Sequence, residues 1–306
     1  MQTVKSENKK SMKSTQIRDS LGSRVFDVVN ILLLVIVALM CLLPFLHVFA
    51  LSLSSNAAAI SQRVFFFPVD FSFEGYRMVL NDPSMMRSLW MTVLITLAFT
   101  VIGMVLTVLA AYPLTKRELK GRTVIAFMFM FTMYFGGGLI PDYLLMKDLK
   151  FLDTVWSLIF PLTFSAYNII IMRSFIEASI PASLEEAAFL DGATYWDILF
   201  RVVIPLSKPV MATLCLFFAV GRWNAYGDAL YYISSSRLYP LQLKLYYLMG
   251  MATDAANLAE GGSATYVTGE VIKATCVMFA TLPIIILYPF LQRYFVTGIM
   301  IGAVKG

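Results

Sequence analysis

The residues of this sequence that are best suited to chemistry lie in one polar segment, residues 183–205, of an otherwise hydrophobic chain. Glu186 can form ion pairs with a partner. The neighbouring Ala187, Ala188 and Gly192 are small enough for another protein to approach closely. Charge beside small side chains is typical of a surface on which a soluble protein docks. The alternative interpretation is a solvated loop that only connects two membrane helices.

The first half of this segment carries start and stop signals for a short helix. Ser183 followed three residues later by Glu186 matches the capping-box pattern, in which both side chains bond to backbone N–H groups at a helix start. Gly192 favours the left-handed conformation on which helices commonly end. We therefore predict a helix that begins at Ser183 and ends at Asp191.

The second half predicts another short helix. Thr194 and Asp197 repeat the cap pattern in a weaker form. Pro205 and Pro209 mark the return of the chain into the membrane, because proline is tolerated at a helix start but not inside a helix. The segment is thus expected to form a helix–turn–helix.

Groups for catalysis or metal binding are sparse. The single histidine, His47, has the character of a packing or interfacial residue, and Cys41, Cys215 and Cys276 are expected to be buried small hydrophobic residues. The sequence contains no Gly-x-x-x-x-Gly-Lys-Ser/Thr phosphate loop, so this chain is not itself an ATPase. An enzyme would need a converging nucleophile, base or metal ligands. We therefore expect no catalytic residue and no metal site.

The elements that must position the polar segment are membrane helices. Hydrophobic residues make up 59% of the chain and charged residues 14%, against roughly 25% charged residues in soluble domains. A helix needs about 20 mostly apolar residues to cross the hydrocarbon core. We predict an all-α, multi-pass integral membrane protein with six transmembrane helices, at residues 28–53, 89–112, 123–140, 155–172, 209–232 and 274–291.

The distribution of lysine and arginine predicts the orientation of these helices. Basic residues cluster in the first 24 residues, in residues 116–122, after the fourth span and near the C-terminus, and such loops stay in the cytoplasm. Both termini and the segment 183–205 are therefore expected to be cytoplasmic. This sorting also explains the net charge of +5, so nucleic acid is not needed as a partner.

The same pattern divides the chain into four regions. These regions are a cytoplasmic tail (1–24), the first transmembrane helix with its outer loop (25–85), a transmembrane domain that contains the segment 183–205 (86–293) and a C-terminal cytoplasmic tail (294–306).

Residues 241–249, in a long outer loop, are expected to form a short amphipathic helix at the membrane interface.

Residues 186–193, with the sequence EAAFLDGA and followed by Pro205, closely resemble the EAA loop of permease subunits in ATP-binding-cassette (ABC) importers. The resemblance extends from about Trp90 to the C-terminus. The sequence is similar to the carbohydrate branch of these permeases, which includes the smaller maltose-importer permease and the permeases for aldouronate or alginate fragments. Supporting sequences are NIIIMR (168–173), PLSKP (205–209), GRWN (221–224) and PLQ (240–242).

The resemblance implies a type I ABC importer permease fold in the cell membrane. Two permease subunits would form the pathway within the lipid bilayer, two copies of an ATPase subunit would bind ATP and Mg, and an extracytoplasmic solute-binding protein would deliver an oligosaccharide. This chain would be one permease and would need no cofactor of its own. Fragments of acidic polysaccharides are the expected cargo and neutral sugars the alternative. A secondary transporter fits less well, because no inverted repeat with paired broken helices is visible.

The resemblance also assigns roles to particular segments. A coupling helix at 183–191 would dock in a groove of the ATPase subunit. The C-terminal residues 302–306 would reach the ATPase dimer, and the outer loop 233–270 would enter the cleft of the binding protein. The residues expected to couple this chain to the ATPase are Glu186, Ala187, Ala188, Asp191, Gly192, Ala193 and Pro205.

Candidates for the substrate path lie in the fourth and fifth spans. Sugars are usually held by aromatic faces beside polar groups, although intramembrane amides more often join helices to one another. A charge such as Arg222 in the membrane must face a wet cavity or a partner, and Asp228 could be its structural counter-ion. The hypothesis is that Arg222 contacts an acidic sugar. The full candidate set is Tyr167, Asn168, Arg222, Trp223 and Asn224.

Overall fold

The computed structural model describes residues 21–258 and 268–303. Over these residues the chain is helical and contains no β-strand, which confirms the predicted all-α class. The chain divides into two compact units, residues 1–47 and residues 48–306. The division into four regions and the placement of both termini remain predictions.

The first long helix, α1 (Leu21–Ser52), contains the first predicted span. Its apolar part, Val25–Ser52, has a mean hydropathy of 2.9 and is long enough to cross a membrane. Apolar side chains such as Val25 and Phe26 are exposed along it, in keeping with lipid or protein surroundings. Cys41 is exposed here, so the expectation that all three cysteines are buried is wrong for this one.

Fourteen further helices follow in the described residues. They are α2 (Asn56–Ile60), α3 (Glu74–Asn81), α4 (Pro83–Ala111), α5 (Arg122–Tyr134), α6 (Leu139–Asp148), α7 (Phe160–Thr163), α8 (Ala166–Ser179), α9 (Ala182–Leu190), α10 (Tyr195–Ile198), α11 (Ile204–Leu206), α12 (Lys208–Asn224), α13 (Gly227–Tyr232), α14 (Leu241–Leu258) and α15 (Thr268–Ala303).

The described residues contain three single helices and three bent helix pairs that are long and apolar enough to cross a membrane, which allows up to six spans. Two of the three bends lie within predicted spans, namely the third and the fourth. The third predicted span, 123–140, is interrupted after Tyr134 by a run of glycines that includes Gly138 at φ +88°, and α6 leaves α5 at 113°. Glycine tolerates this positive φ because it has no Cβ.

The fourth and fifth predicted spans are also interrupted. Helices α7 and α8 meet at 46°, and α8 begins where the Ser165 hydroxyl accepts a hydrogen bond from the Asn168 backbone N–H at 3.3 Å. Helix α12 ends at Asn224 because Ala225 adopts an extended conformation, and α13 follows as a separate helix. Helix α12 itself meets the preceding 195–206 stretch at 79°.

The core lies where α4, α8 and α12 pack together. Ile169, Met172 and Leu214 are fully buried there, together with Met104 and Val108 from α4. Such interhelical contacts hold the helices through van der Waals packing, which is the main attraction available between helices in lipid. These three helices therefore form the frame that supports the polar segment.

Helix α14 differs from the sequence-based expectation. Residues 241–249 do not form a short interfacial helix; they begin an 18-residue helix whose Leu241 and Leu243 are completely buried. The backbone N–H of Leu241 donates to Thr92 Oγ1 of α4 at 2.7 Å. The expectation of an interfacial helix is wrong because tertiary packing buries its leucines.

Candidate functional site

The polar segment begins with helix α9, one residue earlier than predicted. Its N-cap is Pro181, and no side chain caps the helix start. The predicted capping box of Ser183 and Glu186 is therefore wrong: both residues lie inside the helix. Pro181 has φ −63° and ψ 139°, so its fixed ring already directs the chain into a helix start.

The end of α9 agrees with the prediction. Gly192 has φ +83°, its N–H donates to the Phe189 carbonyl at 3.0 Å, and the Ala193 N–H donates to the Ala188 carbonyl at 3.0 Å. These two bonds form a Schellman motif, which satisfies carbonyls that the helix end leaves open. The turn points the chain away from the α9 axis directly after Asp191.

The predicted cap of the second helix is also confirmed. The Thr194 hydroxyl oxygen accepts from the Asp197 N–H at 3.3 Å, and the Asp197 carboxylate accepts from the Thr194 N–H at 3.1 Å. A π-helical turn at Leu199–Val203 follows and leads into α11. Pro205 lies in α11 rather than at the re-entry, whereas Pro209 lies in the first turn of α12 as expected.

One side of α9 is open. Glu186, Ala187, Asp191 and Gly192 are exposed, and Leu190 has 89% of its surface exposed. An exposed leucine beside carboxylates and small residues offers both apolar and charged contact to a partner.

Two of the remaining coupling candidates face inward, whereas the third, Pro205, is exposed. Ala188 and Ala193 are half-buried and pack against the core of α4, α8 and α12. Their small size therefore serves packing within this chain, and the open surface is formed by their neighbours.

Three of the five substrate-path candidates line one cavity. Tyr167, Asn168 and Trp223 surround a space of about 710 Å³ together with Thr96 of α4 and Tyr288 of α15. Thr96 Oγ1 is buried and has no hydrogen-bond partner within the described part of the chain. Thr96 and Tyr288 were not predicted from the sequence, because their helices carry no local signal of a cavity.

Trp223 and Asn224 differ in their surroundings. Trp223 is 8% exposed, and its indole Nε1 donates to the Ala280 carbonyl at 3.1 Å. The Asn224 side chain is exposed and donates to the Val220 carbonyl at 3.0 Å, away from the cavity lining. The structure thus separates Asn224 from the other candidates.

Arg222 is a buried and fully engaged cation. Its guanidinium binds both carboxylate oxygens of Asp228, with Nη2 and Oδ1 at 3.0 Å, and Nη1 donates to the Leu158 carbonyl at 3.1 Å. The Arg222 side chain is 2% exposed. The predicted pairing of Arg222 with Asp228 is confirmed.

The family is decided by comparison with known proteins. The profile of the family described as binding-protein-dependent transport system inner membrane component matches residues 122–301, which include α9, its Schellman turn and the cavity-lining helices α8 and α12. This chain belongs to that family. The expectation drawn from residues 186–193 is thereby confirmed.

Relatives in Bacillus subtilis (strain 168) extend the match over almost the whole chain. Protein LplC is 40% identical over 285 residues, which cover 93% of this chain and 96% of LplC. The polygalacturonan/rhamnogalacturonan transport system permease protein YtcP is 38% identical over 285 residues, which cover 93% of this chain and 99% of YtcP. Both are much longer matches than the EAA segment alone.

A solved structure agrees with the fold. A chain of a bacterial ABC transporter involved in the import of the acidic polysaccharide alginate superposes with a TM-score of 0.82 at 38% identity, covering 90% of this chain and 99% of that chain. The resemblance to permeases of carbohydrate importers is confirmed by these comparisons.

Proposed function

We propose that this chain is one of two permease subunits of an ATP-driven importer for oligosaccharides, with fragments of acidic polysaccharides as its cargo. The observation that carries the proposal is the open face of α9, where Glu186, Ala187 and Leu190 are exposed directly before the Gly192 turn. Leu184 and Phe189 of the same helix are also exposed, and a group of exposed apolar side chains is typical of a surface that a partner covers. The partner is the ATPase subunit, since this chain has no phosphate loop.

The coupling acts through α9 as a rigid lever. Two ATPase subunits bind ATP and Mg, close on each other and move the helix that lies in their surface groove. Glu186 supplies a charged contact, Ala187 permits close packing, and Gly192 fixes the exit angle of the chain. Helix α9 then shifts the frame of α4, α8 and α12 between inward-open and outward-open arrangements, so that ATP changes the population of two states.

This mechanism requires α9 to face the cytoplasm. Lysine and arginine flank the proposed inner side of the spans, which supports cytoplasmic termini and a position in the cell membrane. On the opposite side, the region 233–270 receives the solute-binding protein. Its residues 259–267 lie outside the described part of the chain, as do residues 304–306 of the C-terminal tail.

The cavity between α4, α8, α12 and α15 is the part of the sugar path that this subunit contributes. Tyr167 offers an aromatic face, Asn168 lies beside it in the cavity wall, and Thr96 adds a buried hydroxyl without a partner in the described residues. An apolar wall with a few polar groups suits a ligand that must bind and leave. Arg222 braces this wall through Asp228 instead of touching the sugar.

Acidic cargo is favoured by the relatives. YtcP is named for polygalacturonan and rhamnogalacturonan, and the solved transporter for alginate, and each resembles this chain at 38% identity over at least nine tenths of its length. Neutral oligosaccharides are the alternative within the same class.

The experiment is reconstitution into proteoliposomes. The chain is combined with its second permease, ATPase and binding protein, and uptake of labelled oligogalacturonate, oligoalginate and maltotetraose is measured with ATP or a non-hydrolysable analogue. We expect ATP-dependent uptake of at least one acidic oligosaccharide. Uptake of the neutral sugar alone would contradict the proposed acidic cargo. Uptake driven by an ion gradient without ATP would contradict the proposal that the protein is part of an ATP-driven importer.

A further inference from the structure

Two adjacent glutamates of α9 face different surroundings. Glu186 is exposed, whereas the Glu185 carboxylate contacts the Lys116 ammonium group in the connection after α4. The side chains of Lys116 and Glu185 are only 13% and 17% exposed. Of these two glutamates, Glu185 is thus the one that is used inside this chain.

The surroundings of Lys116 hold its charge in place. Its Nζ lies 4.2 Å from the centroid of the Tyr112 ring, so the ammonium group contacts an aromatic ring as well as the carboxylate. A cation near an aromatic ring gains further electrostatic attraction, which grows as water is excluded. Lys116 follows the 3₁₀ turn Pro113–Thr115, which continues α4. The ion pair therefore joins the end of α4 to α9 across 69 residues of sequence.

Few other contacts fix α9. None of its own residues is buried, and its apolar attachments are the half-buried Ala188, with Ala193 just beyond the turn, and an edge-to-face contact of Phe189 with Tyr195 of α10. The ion pair is a directional contact in addition to these apolar attachments. Helix α4, by contrast, is packed along its length against α8 and α12.

The other ion pairs near this side do not hold α9. Arg122 and Arg173 contact Glu177 at 3.8 and 3.0 Å, which ties α5 to α8, and Arg201 contacts Asp197 at 3.5 Å within one helical stretch. Their side chains are more exposed than those of Lys116 and Glu185. Exposed pairs contribute little to the energy that holds two elements together.

We propose that Lys116 and Glu185 are a positioning pair that makes α9 and the end of α4 move as one body, so that displacement of α9 by the ATPase reaches the membrane helices. Lys116 fixes α9 to the rest of this chain through Glu185, while the exposed Glu186 contacts the ATPase. The inference rests on the proposed importer function. It adds a residue outside the EAA loop to the coupling machinery.

The test compares Lys116→Gln, Glu185→Gln and the charge-swapped double variant Lys116→Glu/Glu185→Lys in the full reconstituted complex. Lys120→Gln, an exposed lysine on the same connection, is the matched control. The measured quantity is the number of oligosaccharides imported per ATP hydrolysed. We expect each single variant to keep the ATPase bound but to lower this ratio about tenfold, the size of a typical coupling between contacting residues. The swapped variant should recover to within about threefold of wild type.

Three results would overturn the inference. One is a wild-type ratio in both single variants. Another is a swapped variant no better than the single ones, because opposite charges at positions 116 and 185 should attract each other again even without the contact between the ammonium group and the Tyr112 ring. Loss of the ATPase on purification of the single variants would make Glu185 a docking residue and would also refute a positioning role. If the wild-type complex imports nothing, the proposed function fails instead, which keeps the two outcomes distinct.

Discussion

Arg222 and Asp228 form a two-point ion pair across the break between α12 and α13, with Arg222 Nη2 and Asp228 Oδ1 3.0 Å apart. The same guanidinium donates to the Leu158 carbonyl and lies 5.8 Å from the centroid of the Phe99 ring. One buried cation thus connects α4, α12, α13 and the 3₁₀ turn Val155–Leu158 that precedes α7. Because α12 ends at Asn224, this pair is a side-chain link across a break in the helix.

Replacing Arg222 should therefore reduce stability more than selectivity. Arg222→Gln leaves Asp228 without its partner, and breaking a buried pair costs about 3–5 kcal/mol. We expect a lower thermal midpoint in detergent and an unchanged ratio of acidic to neutral oligosaccharide uptake. Arg222→Gln/Asp228→Asn should lose less than the sum of the single variants. A changed uptake ratio with an unchanged midpoint would restore the hypothesis of sugar contact.

Gly192 should tolerate asparagine better than alanine. At φ +83° an L-residue with a Cβ is strained by about 1–2 kcal/mol, and asparagine adopts this region more readily than alanine. No heavy atom lies within 4 Å of the position that a Cβ would occupy, so crowding plays no part. We expect uptake per ATP to fall in the order wild type, Gly192→Asn, Gly192→Ala, Gly192→Pro, with membrane insertion intact. Wild-type coupling in Gly192→Pro would contradict the lever model, as would wild-type coupling in Glu186→Lys.

Local signals explain which parts of the site the sequence predicted. The Gly192 turn and the Thr194–Asp197 cap depend on neighbouring backbone groups, so their patterns were sufficient. The Ser183 cap failed because Pro181, two residues earlier, already starts the helix. Contacts such as Lys116 with Glu185 depend on helix packing between residues far apart in the sequence, and no local pattern reveals them.

The same distinction applies to the fold. Apolar stretches predicted where the spans lie, because the requirement for about 20 apolar residues is a matter of composition. The bends were not predicted, since an interrupted helix in a membrane is tolerated only where protein or a cavity satisfies the backbone, which is a tertiary property. Helix α14 was misplaced for a similar reason: its leucines are as compatible with an interface as with a core.

Tyr167 is expected to contribute to sugar binding. Its side chain is 54% exposed and lines the cavity of about 710 Å³. Loss of an aromatic face that stacks on a ligand removes roughly 1 kcal/mol, so Tyr167→Ala should raise the KM for uptake about fivefold. Asn224→Ala, next to the cavity-lining Trp223 but outside the lining, is the control and should leave KM unchanged. Equal KM values in both variants would remove Tyr167 from the path.

Acid should weaken the cap of α4. Burial raises the pKa of Asp82, but hydrogen bonds from the Ser84 hydroxyl and N–H outweigh it, and the net pKa lies below the ordinary 3.8. Because the native pKa is the lower one, this stabilisation is complete above pH 3.8 and is lost as the pH falls through the native value. Asp82→Ala should cost about 1 kcal/mol of stability at pH 7 and progressively less below pH 3.8. Thermal midpoints at pH 7 and at strongly acidic pH measure this, with the exposed Asp148→Ala as control. A pH-independent loss would mean that the Asp82 charge is not responsible.

Two glycines in the transmembrane frame should respond to alanine in opposite ways. A Cβ on Gly103 of α4 would lie 2.9 Å from the Phe218 ring of α12, and that ring is buried against Phe99 with their centroids 5.7 Å apart. The ring cannot move aside, so Gly103→Ala should cost about 1–3 kcal/mol through overpacking. Gly221→Ala adds its methyl group to open space in α12 and should be neutral or stabilising by up to about 1 kcal/mol. Thermal midpoints of the purified complex compare the two variants. A Gly103→Ala variant as stable as wild type would show that α4 and α12 do not approach this closely.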